Sequence, residues 1–130
     1  MTIPYLCILI AALLPYIWVG IAKTGGPRYD NRDPRGWMAK QDNPRVHRAS
    51  AAQFNAFEAF APFAASVLMA QFAGVDPQRI TWLAIAFIAL RVLHGVTYVA
   101  NKHYLRSLAW LGAFVCVFAL MVMAVLRIGG

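Results

Sequence analysis

The chain has 130 residues, 61% of them hydrophobic, with a mean hydropathy of +0.58 and a formal net charge of +7. That length leaves room for one domain, and the apolar fraction exceeds the roughly one-half expected of a soluble one. The positive charge does not point to nucleic acid, because it is gathered between apolar runs.

Four apolar runs follow one another, each near the roughly 20 residues that a bilayer core requires. The first spans roughly Ile3 to Ile21. Its first basic neighbour is Lys23, after the run, so it reads as a retained helix rather than a signal peptide. Pro4 lies near its start, where it does little harm, while Pro15 is interior and predicts a kink. Thr24-Gly25-Gly26-Pro27 then breaks the chain. Residues 24–44 read as a polar loop, because Pro27, Pro34, Pro44 and the glycines argue against continuous helix. Tyr29, Trp37 and Met38 can anchor this loop at the membrane interface. Its length is that of a functional or partly ordered connection.

Asn43-Pro44 caps a second helix, with the proline at its first position. The helix runs to about Gly74 and is apolar from about Ala49 to Ala73, except at Asn55 and Glu58. Pro62 frees a carbonyl in the preceding turn. Asp76-Pro77 opens a third helix, apolar over roughly Ile80 to Ala100. Lys102-His103-Tyr104-Leu105 reads as a tight turn into a fourth run, roughly Leu108 to Leu126. The expected architecture is a single all-α integral membrane domain. It is an up-down-up-down four-helix bundle with helices at roughly 3–22, 45–74, 78–101 and 106–127.

Lys23, Arg28, Arg32, Arg35, Lys40, Arg45 and Arg48 cluster between the first two runs, and Lys102 and Arg106 lie between the last two. The remaining connection has Arg79 offset by Asp76. The positive-inside rule places both basic loops in the cytoplasm and both termini outside. A chain this short and poor in loops fits a bacterial inner membrane. Cys7 and Cys116 fall inside apolar runs and read as small packing residues. His47, His94 and His103 lack metal-ligand spacing, so no metal is expected.

Glu58 is the only acidic residue in any of the four runs. A charged side chain at the centre of a membrane helix costs about 2.5–3.5 kcal/mol on insertion scales, so it needs a partner or a use. At 3.6 residues per turn, Arg48 and Asn55 lie about 20° apart on the helix, and Glu58 lies within about 60° of Asn55. Alanines at 49, 51, 52, 56, 59, 61, 64 and 65 thin the same helix for close packing. On the third helix Arg91, His94 and Tyr98 form a second stripe, at i, i+3 and i+7. Arg91 needs an anion, and Glu58 is its expected partner. Arg48, Asn55, Glu58, Arg91, His94, Tyr98 and Arg106 together predict a cationic, hydrogen-bonding pocket near the membrane surface. Such a pocket suits a small polyanionic ligand with an amine for Glu58.

Two stretches, RASAAQFNAFEAFAPFAA at 48–65 and RVLHGVTYVANKHYLRSLAW at 91–110, resemble the MAPEG family over essentially the whole chain. These are membrane-associated proteins of eicosanoid and glutathione metabolism. The resemblance implies a homotrimer that binds glutathione between subunits near the cytoplasmic face. Carried over, Asn55 and Glu58 meet the tripeptide's backbone and amino end, Arg48, Arg91 and Arg106 meet carboxylates, and Tyr98 lies near the ligand. Arg106 or Ser107 then holds the thiol as thiolate, and with Tyr98 they are the candidate catalytic residues. Ala51 stands where characterised enzymes often have Arg, and Lys23 is the only cation near the end of the first helix, where some use Arg. A lysine does not reproduce the bidentate contact of arginine.

Three readings follow. The first is a glutathione transferase or peroxidase acting on lipophilic electrophiles that enter from the bilayer. The second is a non-catalytic lipid- or thiol-binding protein of the same fold. The third is a structural membrane protein stapled by Glu58 and Arg91. Expected partners are other copies of the chain, membrane lipids and a small lipophilic substrate, with no nucleic acid.

Overall fold

Three Asx-Pro pairs each open a helix. In a computed structural model describing residues 1–130, the helices are α1 (Thr2–Lys23), α2 (Pro34–Ala39), α3 (Pro44–Phe72), α4 (Pro77–Val99) and α5 (His103–Gly129). Asp33, Asn43 and Asp76 are the N-caps of α2, α3 and α4, and each proline takes the first helical position. The caps accept from the amides of Gly36, Arg45 and Arg79 respectively. A proline there has no N–H to leave unsatisfied, and its fixed φ suits the first turn.

The helix count differs from the expected four. The additional helix, α2, has six residues and lies inside the segment read as loop. Asp33 caps it and Trp37 plugs it into the structure: the indole is buried and its Nε1 donates to the carbonyl of Arg28 at 3.1 Å. The turn before α5 also differs. It occupies Ala100 to Lys102, and α5 begins at His103. Asn101 makes this possible with φ of 61°, a left-handed conformation that asparagine tolerates better than most residues.

Successive long helices run antiparallel, as their cross-contacts show. Tyr5 on α1 donates to Gln71 on α3 at 2.6 Å, and Arg48 on α3 donates to the carbonyl of Val99 on α4. Phe63 on α3 stacks on Phe87 of α4 with ring centroids 3.8 Å apart and planes 5° apart. The α4–α5 seam closes where Leu90 meets Gly112. α1, α4 and α5 are long and apolar enough to cross a membrane. α3 has the length, at 29 residues, but its polar first half, which carries Arg45, His47, Arg48, Gln53, Asn55 and Glu58, lowers its hydropathy. Of the four spans expected from the sequence, three are thus long and apolar enough to cross a membrane.

Packing divides the molecule into two ends. The main core joins Cys7 and Ala11 of α1, Phe63 and Val67 of α3, Ile80 and Phe87 of α4, and Ala113, Cys116 and Leu120 of α5. It fills the end near the α3–α4 turn. At the other end a small cluster of Ala22, Trp37, Val46, Ala49 and Val99 seats the long loop on the helix termini. Between them, Leu14 and Trp18 of α1 pack on Ala52 and Ala56 of α3. Trp18 also lies directly on Gly95 of α4, where a Cβ would enter the indole ring. The polar stripes lie at this level, beyond the main core.

Candidate functional site

α3, α4 and α5 converge around two adjoining clefts that share Asn55 and Trp110. The first, of about 240 Å³, has a polar rim of Asn55, Glu58 and Arg91. Its floor is apolar, formed by Ala59, Pro62, Phe87, Trp110, Ala113, Phe114 and Val117. The second, of about 260 Å³, is lined by Asn55, His94, Tyr98, Arg106, Ser107 and Trp110.

Arg91 is buried to 3% exposure, and its Nη2 donates to Asn55 Oδ1 at 2.8 Å. The expected Glu58–Arg91 ion pair is not formed; the one ion pair in the chain joins Arg32 to Asp30 at 3.0 Å. The physical reason is rotational. Asn55 points into the α3–α4 seam, whereas Glu58, at 3 residues further along, is exposed on the open side of the cleft. The guanidinium is thus held by a neutral amide, and the carboxylate is left free.

His94 is buried at 2% exposure, and its Nδ1 has no hydrogen-bond partner. Its ring meets Tyr98 edge-on, with centroids 5.6 Å apart. Arg106, in the first turn of α5, places its guanidinium carbon 4.5 Å from the centroid of the Tyr98 ring. A guanidinium over a ring face is held by the ring's electrons without using up its N–H donors. Ser107, next along α5, is exposed at the mouth of the same cleft.

Arg48 is not gathered into either cleft. Its Nε donates to the Val99 carbonyl at 3.2 Å, satisfying one of the free carbonyls at the end of α4. A cation at that end also meets the negative pole of the helix. Of the sequence-predicted residues, the structure therefore brings together Asn55, Glu58, Arg91, His94, Tyr98, Arg106 and Ser107. Trp110, Phe87 and Phe114 line the clefts without having been singled out. The signal for Trp110 was available: it stands four residues after Arg106, hence on the same face of α5.

The opposite face of α3 borders a separate crevice of about 380 Å³ between α1, α2 and α3. Lys23, Arg35, Ser50 and Gln53 give it polar character, and Tyr16, Phe54 and Phe57 give it an aromatic wall. Lys23 lies 4.4 Å from the centroid of Tyr29, which packs edge-on against Trp37. No acidic side chain lines this crevice.

No three His, Cys, Asp or Glu side chains gather as a metal site. The clefts can instead bind anions at Arg91 and Arg106, an ammonium at Glu58 and a hydrophobic group on the floor. The sequence profile of the MAPEG family matches residues 3–126 of the chain. No curated protein and no solved structure matches it.

Proposed function

The chain belongs to the MAPEG family of membrane proteins, and from that premise we propose that its paired clefts bind glutathione and present the thiol to a lipophilic electrophile. The observation that carries this reading is the set of charges at the rim. One carboxylate outside any ion pair, Glu58, shares the paired clefts with two cations, Arg91 and Arg106, and with amide and hydroxyl groups. Glutathione has the complementary set: one ammonium, two carboxylates and a thiol.

Glutathione, when bound, supplies a sulfur nucleophile. Glu58 holds the ammonium, and Arg91 and Arg106 hold carboxylates. Arg106, stacked on Tyr98, with the Ser107 hydroxyl beside it, favours the deprotonated thiol, because a nearby cation lowers a thiol pKa. The apolar floor receives the hydrophobic co-substrate from the bilayer. Arg48, engaged with Val99, secures the end of α4 that carries Tyr98.

A homotrimer completes the site. Both clefts are open along one side, where Glu58 and Ser107 are exposed, so one chain does not enclose a ligand there. The acid-bearing cleft and the cationic crevice with Lys23 and Arg35 lie on opposite faces of α3. A closed ring uses two different patches of each subunit, so each cleft can meet a neighbour's crevice. The positive-inside rule, applied to the basic loop, supports a cytoplasmic ligand end.

Titration calorimetry of detergent-solubilised protein, with thiolate absorbance followed alongside, tests the reading. Saturable glutathione binding with thiolate absorbance at neutral pH is expected. Replacing Glu58 by Gln removes the charge partner of the ammonium and weakens binding about tenfold or more. Absence of binding at millimolar glutathione would overturn the proposal. One observation favours a second reading, in which glutathione is held without activation: Arg48 is committed to a backbone carbonyl and Ala51 offers no replacement cation. Binding without thiolate absorbance is the signature of that case.

A further inference from the structure

At the end of the molecule away from these clefts, the α3–α4 turn and the last turns of α5 enclose a crevice of about 490 Å³. Asp76, Arg79 and Arg127 form its polar side, and Val75, Met123 and Leu126 its apolar side. The two guanidinium groups have no carboxylate within ion-pair distance and donate no hydrogen bond. Asp76 is the only acidic side chain at this end. It caps α4 through Oδ2, which accepts from the Arg79 amide at 3.2 Å, and its Oδ1 has no partner.

Arg79 lies in the first turn of α4, where the positive pole of the helix disfavours a cation. Arg127 suits the C-terminal pole of α5, and it lines the same crevice as Arg79. Two unpaired arginines that border one space are suited to a shared phosphate, which takes planar, bidentate donors. The apolar half of the crevice, where Leu126 is 68% exposed, matches a glycerol backbone and the start of acyl chains. Asp76 Oδ1 is exposed and not used by the helix cap, so it can accept from a donor beyond the phosphate.

We propose that this crevice is a phospholipid headgroup site, with the phosphate between Arg79 and Arg127 and a donor at the far end of the headgroup on Asp76. Ethanolamine and glycerol headgroups have such a donor. A choline headgroup has none, so it leaves Oδ1 unpaired.

Native mass spectrometry of the full chain in mild detergent tests this. The protein is offered an equal mixture of ethanolamine, glycerol and choline phospholipids with identical acyl chains. The first two are retained about fivefold over the choline lipid, the factor expected of one net hydrogen bond. The double substitution Arg79→Gln with Arg127→Gln lowers all three to the same residual level. Asp76→Asn keeps the helix cap, since Asn caps as well as Asp, and removes the preference of the ethanolamine over the choline lipid. Equal retention of the three lipids by the unmodified chain, or an undiminished preference in the double variant, overturns the proposal. Displacement of the lipid by millimolar inorganic phosphate, with the phosphate itself retained, assigns the crevice to the free ion and likewise overturns it.

Discussion

Arg91 and Asn55 form the one direct side-chain hydrogen bond within the site, at 2.8 Å. A buried guanidinium without its acceptor loses a charge-assisted bond that contributes about 1.5–3 kcal/mol. Asn55→Ala is therefore expected to lower stability by about that amount in detergent unfolding; an unchanged midpoint would show that Arg91 finds its support elsewhere. Glu58→Gln is expected to cost less than Asn55→Ala, because the carboxylate makes no ion pair and acts on Arg91 only through its charge at longer range. The two substitutions thus separate support of the fold from contact with ligand. Outside the membrane-spanning helices, the Arg32 side chain and amide beside Asp30 hold that carboxyl below the ordinary carboxylate range. A depressed acid contributes stability above its unfolded pKa, of about 3.9, and loses it as pH falls through the lower folded value. Exchange protection of the Arg32 amide is expected to persist from neutrality down to the ordinary carboxylate value of about 3.9 and to disappear only as pH falls further, through the depressed folded value. Both side chains are solvent-exposed, so the loss stays local.

The long helices were legible in the sequence because about 20 consecutive apolar residues and Asx-Pro starts are strong signals. The polar stripes were legible for the same reason of periodicity: Asn55, Glu58, Arg91, His94 and Tyr98 do converge on the clefts. Three things were not. α2 is too short to display a helical period, although Asp33-Pro34 has the same opening signature as Asn43-Pro44. The partner of Arg48 is a backbone carbonyl, which no side-chain pattern reveals. Asn55 displaced Glu58 as the partner of Arg91 because sequence counts charges, whereas the rotation of α3 decides which group faces the seam. Helix contacts also set a limit that residue type alone only hints at. Gly95 touches the Trp18 indole, and an added Cβ has no space there. Gly95→Ala is expected to cost about 1–3 kcal/mol, the usual range for overpacking, and to regain much of it in a Trp18→Phe background. An equal loss in both backgrounds would point to backbone conformation rather than to this contact.

Across the whole molecule, large apolar side chains cover much of the surface: Leu9, Tyr16, Phe54, Phe118 and Val125 are each more than half exposed. Such a surface suits lipid and neighbouring subunits, and the two faces of α3 present different chemistry to whatever adjoins them. If sites form between copies, subunits with Glu58→Gln and subunits with Lys23→Ala complement one another. Co-purified mixtures are expected to recover a fraction of the glutathione binding that each variant lacks alone; binding no better than the average of the two would place both residues in a single-chain site. The long loop has a consequence for traffic. The Trp37 indole donates to the Arg28 carbonyl and the Asn43 side chain donates to the Gly25 carbonyl at 3.1 Å, so α2 is fastened back onto the chain that leads out of α1. It borders the crevice between α1 and α3 and lines neither of the two clefts, so this loop is no hatch over them. Under the proposed function, hydrophobic guests come and go sideways between helix walls, and residence time is set by how those walls breathe in the surrounding lipid.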